Sequence, residues 1–161
     1  MRRLSLFAVA LIMATLLYAV PRLEGEGGDK LPKAASEFIH KYLASTEISR
    51  VDIDNKSTKE QYVVYFKNGD KATFDASSGK CTSLDMSVGA VPDAVVPGKV
   101  LDYVKRHYPS SYIVSICHIE GGGRIVLNNG KSICIDRDGN IIADAKCDDK
   151  SKDRCDTDSK R

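Results

Sequence analysis

The chain has 161 residues, room for one compact domain or two very small ones. Its 42% hydrophobic and 29% charged residues exclude a disordered chain and a multi-span membrane protein. With 24 basic and 22 acidic side chains the net charge is +2, which excludes the broad positive footprint of a nucleic-acid binder or of a protein held on an anionic membrane surface.

Arg2 and Arg3 precede an apolar and small-residue run from Leu4 to Val20, which Pro21, Arg22, Glu24 and the glycines 25, 27 and 28 then break. This is the plan of a secretory signal, assigned to residues 1–25. The run of about 17 residues lies at the lower limit for a spanning helix, so an uncleaved anchor is the lesser alternative. Cleavage leaves a periplasmic or secreted chain with no stable membrane association, and no cysteine near the end of the run offers a lipid tether.

The next segments occur twice. LPKAASEFIHKYL (Leu31 to Leu43) and VPGKVLDYVKRHY (Val96 to Tyr108) align position by position, Phe38 with Tyr103 and Ile39 with Val104. In each, apolar residues recur at spacings of three and four, the signature of one face of an amphipathic helix. The proline at the second place suits a first helical turn, where its missing N–H costs nothing. Strand-like segments follow at Ile48 to Asp54, Gln61 to Lys67, Lys71 to Asp75 and Cys81 to Asp85, then at Tyr112 to Ile119, Gly123 to Asn128, Lys131 to Asp136 and Ile141 to Asp144. Asn68-Gly69 and Asn129-Gly130 each stand between β-rich runs and predict two-residue type I′ hairpins. Asp75 with Gly79, and Asp136 with Gly139, predict the next turn of each set. The expected fold is α+β: two tandem repeats, each a helix followed by a four-stranded antiparallel meander, with the helices on one face of the sheet. Residues 31–85 form the first repeat, 86–95 a linker and 96–144 the second, and 145–161 a charged, disordered tail.

The order and duplication of LPKAASEFIHKYL, VPGKVLDYVKRHYP, YFKNGDKATFD and VLNNGKSICIDRDGN resemble the PepSY-like family, also described as β-lactamase-inhibitor-like, over about Leu31 to Asp144. The resemblance implies a bacterial cell-envelope protein of two tandem α+β units whose sheets line up side by side. The chain departs from that pattern in its Gly121 to Gly123 turn, its five cysteines and its charged tail.

An exported chain with five cysteines meets an oxidising compartment, and the odd count leaves at least one thiol unpaired within the monomer. Cys147 and Cys155 are the candidate disulfide, because the loop between them is short and easily closed. Cys117 and Cys134 fall on the first and third strands of one meander, roughly 10 Å apart, too far to bond. No C-x-x-C and no zinc spacing with histidine occurs, so no metal or other cofactor is expected. Asp136-Arg137-Asp138-Gly139-Asn140 starts like a calcium loop but has Ile141 and Cys147 where such a loop wants Gly and Glu, and it reads as a β-turn. Cys117 and His118 are adjacent on a strand and point to opposite faces, so they form no nucleophile and base pair, and no catalytic residue is assigned.

Strand alternation places Tyr62, Val64, Phe66, Gly123, Ile125 and Leu127 toward the core, with Ala72, Phe74, Ile133 and Ile135. The opposite face carries the candidate binding residues Asp52, Val63, Tyr65, Lys71, Thr73, Arg124 and Val126, an apolar patch with a charged rim of the kind that marks protein contacts. The reading is an exported, non-enzymatic binding module that presents an exposed sheet face to a protein or peptide of the cell envelope, in its sharpest form inhibitor-like. The alternatives are a disulfide-linked structural component of the envelope and an enzyme with a cleft that carries no motif.

Overall fold

Two helices and eight strands make up the computed structural model, which describes residues 27–55, 59–119 and 122–143. The signal segment, the charged tail and the pair Cys147 and Cys155 lie outside the described residues. Helix α1 (Lys33–Tyr42) precedes strands β1 (Ile48–Asp54), β2 (Gln61–Phe66), β3 (Lys71–Asp75) and β4 (Cys81–Asp85). Helix α2 (Gly98–His107) precedes β5 (Ile113–Ile119), β6 (Gly122–Leu127), β7 (Ser132–Asp136) and β8 (Ile141–Ala143). All eight strands form one antiparallel sheet in chain order. The join between its halves is direct, since β4 pairs with β5 through Ser83 with Cys117, Leu84 with Ile116 and Asp85 with Ser115.

Pro32 and Pro97 stand one residue before their helices, as N-caps in extended conformation, instead of inside the first turn. Each still starts its helix, because its carbonyl accepts the first helical N–H groups, from Ser36 at 3.1 Å and from Val100 and Leu101 at 2.9 and 3.2 Å. The buried stripe runs Leu31, Ala35, Ile39 at α1 and Val96, Val100, Val104 at α2, positions four apart on one helical face. Those stripes pack on a core row that crosses seven strands: Val51, Val64, Ala72, Leu84, Ile116, Ile125 and Ile133. Phe38, Tyr103 and Tyr108 flank the stripe and are half-buried against the core. Both helices therefore cover the same face of the sheet.

The Asn-Gly hairpins are longer than their dipeptides predict. No residue other than glycine has positive φ among the described residues, and Gly69 and Gly130 have φ of 90° and 82°. Phe66 N–H bonds to the Asp70 carbonyl and Gly69 N–H to the Phe66 carbonyl, with the same pattern at Leu127, Lys131 and Gly130. These are three-residue loops in which a right-handed turn ends on a left-handed glycine, so the asparagines need no positive φ. Their side chains act elsewhere: Asn68 Oδ1 accepts from Asp70 N and Asn129 Oδ1 from Lys131 N. The segment between β4 and α2 is bound to the sheet, with Met86 N–H on the Val114 carbonyl and Val91 N–H on the Ile113 carbonyl, both 2.8 Å. It closes in a single 3₁₀ turn, Asp93–Val95.

Candidate binding face and helix-side groove

Strand alternation and an unbroken register bring the candidate residues together on the helix-free face in two cross-strand rows. One row runs Asp52, Val63, Thr73, Ser83, Cys117, Arg124, Cys134 and Ala143 across all eight strands. The next runs Arg50, Tyr65, Lys71, Asp85, Ser115, Val126 and Ser132. All seven candidate residues therefore share one surface, together with Arg50 and Ser115, which alternation also places on it, and with Ser83 and Asp85 of β4, which it did not single out.

That face is less open than expected. Thr73 is 1% exposed, Val63 3%, and Lys71, Cys117 and Cys134 each 7%, although none of them belongs to the core under the helices. Tyr65, Arg124 and Val126 are half-buried and Asp52 is exposed. Lys71 is drawn down by charge: its Nζ lies 3.7 Å from Asp85 Oδ2, and the same carboxylate accepts from the Ser115 hydroxyl. This polar cluster spans β3, β4 and β5 and so bridges the join of the two halves. At the outer edge the Arg50 guanidinium lies 4.2 Å from the centre of the Tyr65 ring and 3.1 Å from Asp52, an open cation–π and ion-pair cluster.

The covered face holds a groove of about 380 Å³ above β4 and β5, walled by Phe38 and Tyr42 of α1, Val95 of the 3₁₀ turn, Cys81, Ile116 and His118. Cys81 is a free thiol. Burial pushes its pKa up to about 12, and Asp85 adds to the rise. Partial loss of water from the His118 ring holds that pKa below 6.5. Both shifts favour neutral groups and oppose a thiolate–imidazolium pair. Cys117 and Cys134, on the other face, are each disulfide-bonded. The Asp136 turn is closed by its own backbone, with Oδ1 accepting from Asp138 N at 2.9 Å and Asn140 N at 2.7 Å. No cluster of three potential metal ligands occurs among the described residues.

One antiparallel sheet with two helices on a single side defines an α+β scaffold with one covered and one helix-free face. Residues 60–143 match the family described as "Putative beta-lactamase-inhibitor-like, PepSY-like", and the chain belongs to that family. A crystal structure of a periplasmic protein of the DUF2874 family from Bacteroides vulgatus, so described, is 30% identical, with a TM-score of 0.67 over 71% of this chain and 90% of that one. A second protein from B. vulgatus, described as periplasmic and of unknown function, is 27% identical, with a TM-score of 0.67 over 71% and 91%. A protein from Bacteroides thetaiotaomicron, described as calcium-regulated and periplasmic, shares the fold at 24% identity and a TM-score of 0.68 over 71% and 90%. None of the curated proteins matches the chain. No described helix is long and apolar enough to cross a membrane.

Proposed function

We propose that the chain is an exported, non-enzymatic binding module of the cell envelope, built from two copies of one helix-plus-meander unit, which receives a protein or peptide on its helix-free sheet face. The observation that carries this reading is the continuity of the two cross-strand rows, which join Asp52, Tyr65, Arg124 and Val126 on one surface with no helix between them among the described residues. Aromatic and arginine side chains on such a surface are the common anchors of protein contacts. Export to the periplasm or beyond is supported by the charged and apolar plan of residues 1–25 and by the relatives described as periplasmic. The duplication is supported by two helices that each follow a proline and by two glycine-closed hairpins. An inhibitor-like action extends this reading by analogy with the family description.

The groove supports the non-enzymatic half of the proposal to this extent: burial raises the Cys81 pKa and loss of water lowers that of His118, which disfavours a thiolate–imidazolium pair. The same half-buried Cys81 is a poor handle for linkage to another chain. The test is capture from envelope extracts with wild type and with Tyr65→Ala/Arg124→Ala, followed by titration of the recovered protein in purified form. The double variant is expected to bind at least about tenfold more weakly, the loss of one to two interfacial anchors. Equal affinity for both baits overturns the assignment of this face.

A further inference from the structure

The groove on the covered face exists because the two halves meet there. Phe38 and Tyr42 of α1 form one wall, the 3₁₀ turn before α2 forms the other, and β4 and β5 lie beneath with Ile116. At the matching places of α2, Tyr103 and His107 stack on each other, with centroids 4.3 Å apart and planes at 28°, and close the space between them. Phe38 and Tyr42 are tilted by 57° instead, and about 380 Å³ stays open between them and the turn. Ligand pockets measure roughly 300–1,000 Å³, and this volume holds about a dozen non-hydrogen atoms at the ~30 Å³ that a water occupies in the liquid.

The lining limits what can enter. No carboxylate lines the groove among the described residues. Those nearby are engaged elsewhere: Glu37 lies 3.7 Å from Lys33, Asp93 lies 3.6 Å from Lys105, and Asp85 is on the opposite face with Lys71 and Ser115. Cys81 adds no negative charge at neutral pH, since burial pushes its pKa up to about 12. The one charged side chain in the lining is Lys80, which is exposed and forms no ion pair among the described residues. His118 is exposed beside it, and its lowered pKa favours a neutral ring that keeps one N–H to donate.

We propose that this groove binds a small apolar monocarboxylate of the fatty-acid kind, its hydrocarbon body between Phe38, Tyr42 and Val95 and its carboxylate at the mouth beside Lys80 and His118. The body then leaves water for an apolar and aromatic wall, while the carboxylate keeps its access to water and gains an ammonium, so neither end is buried without a partner. A cationic amphiphile of the same length would meet Lys80 with like charge, and a diacyl lipid is several times too large. The site lies on the side of the sheet away from the binding face proposed above and does not depend on it.

The test is a proton–nitrogen NMR titration of the protein purified from the cell envelope, with decanoate, whose carbon and oxygen atoms number about a dozen, and with decyltrimethylammonium, both below the concentrations at which they aggregate. Decanoate is expected to shift the amides of α1, of residues 79–83 and of residues 116–118 saturably, and to bind more tightly than the cation. Lys80→Glu changes an exposed side chain and is expected to weaken decanoate about threefold to tenfold, the effect of losing one exposed charge pair and adding a repulsive one, and to reverse the order of the two amphiphiles. Ala94→Trp, from an exposed position in the lining, is expected to fill the groove and abolish the shifts with both. Shifts confined to other parts of the sheet, or undiminished in Ala94→Trp, overturn the site. Equal affinity for both amphiphiles, or an order that Lys80→Glu leaves unchanged, overturns the carboxylate. The Lys80→Glu result stands if Ala94→Trp does not fold. Capture with the Tyr65 and Arg124 variants reads the opposite face, so failure of either proposal is seen separately.

Discussion

Asp70 is 1% exposed, and its carboxylate accepts from Ser87 N at 2.7 Å, Val88 N at 3.4 Å and Asn68 Nδ2 at 2.7 Å. One side chain thus ties the first hairpin to the segment that leads to α2. Asp70→Ala removes a buried carboxylate and the acceptor of these N–H groups, and is expected to cost about 1–3 kcal/mol, read as a lower denaturant midpoint at unchanged slope. An unchanged midpoint would show that these bonds contribute nothing. The sequence does not disclose this role, because an aspartate after Asn-Gly reads as a turn residue and its partners lie far along the chain; the matching place in the second hairpin is the exposed Lys131. Asp75 is the reverse case, a turn residue that acts as its position predicts. Hydroxyls of Ser77 and Ser78 and the Ser78 N–H lower its pKa from 3.8 to about 2. Between those two values the unfolded chain binds more protons than the folded chain, so the stability this turn adds is complete above pH 3.8 and is lost as pH falls through about 2. Carboxyl NMR titration is expected to show the low value in wild type and one raised toward 3.8 in Ser77→Ala/Ser78→Ala, which keeps only the backbone N–H donors.

Among the elements, the helices were legible to within two residues because apolar spacing of three and four has a single geometric meaning. The centre of each buried stripe was not. Phe38, Tyr103 and Tyr108 are the larger side chains, yet Ile39 and Val104 occupy the middle of the interface and the aromatic rings lean along its flank. Phe38 meets Tyr42 and Phe74 at centroid distances of 4.9 and 5.6 Å and keeps one side on the groove. Ile39→Ala, at 1% exposure, is therefore expected to cost about 2–5 kcal/mol, and Phe38→Ala less than Ile39→Ala, since its removal opens space already next to solvent. Thermal or denaturant unfolding of the two variants decides the order, and a larger loss for Phe38→Ala would place the helix a third of a turn from where the core row puts it. The hairpins were legible in position for a similar reason and not in type: Asn-Gly marks a reversal, but loop length depends on which backbone pair closes it, and that is set by the register of the whole sheet.

At the scale of the molecule, period-two alternation was enough to put seven separated residues on one face, because a strand's register fixes both sides at once. The join between the halves was not legible. No tight turn connects β4 to β5, and the chain between them includes α2, so local chemistry does not set their register. It is set by the core row, where Leu84 pairs with Ile116 and both are closed to water. A single core running under both helices has a thermodynamic consequence: neither half can lose its packing without exposing the Leu84 and Ile116 edge of the other. The described body is expected to unfold in one transition, with amides of β2 and β6 exchanging at the same free energy. Leu84→Ala, which removes a fully buried side chain at the join, is expected to cost about 2–5 kcal/mol and to lower the protection of both strands together. Two resolved transitions, or a loss of protection confined to β2, would show that the halves are joined by backbone pairing alone and that the surface spanning them is not a rigid unit.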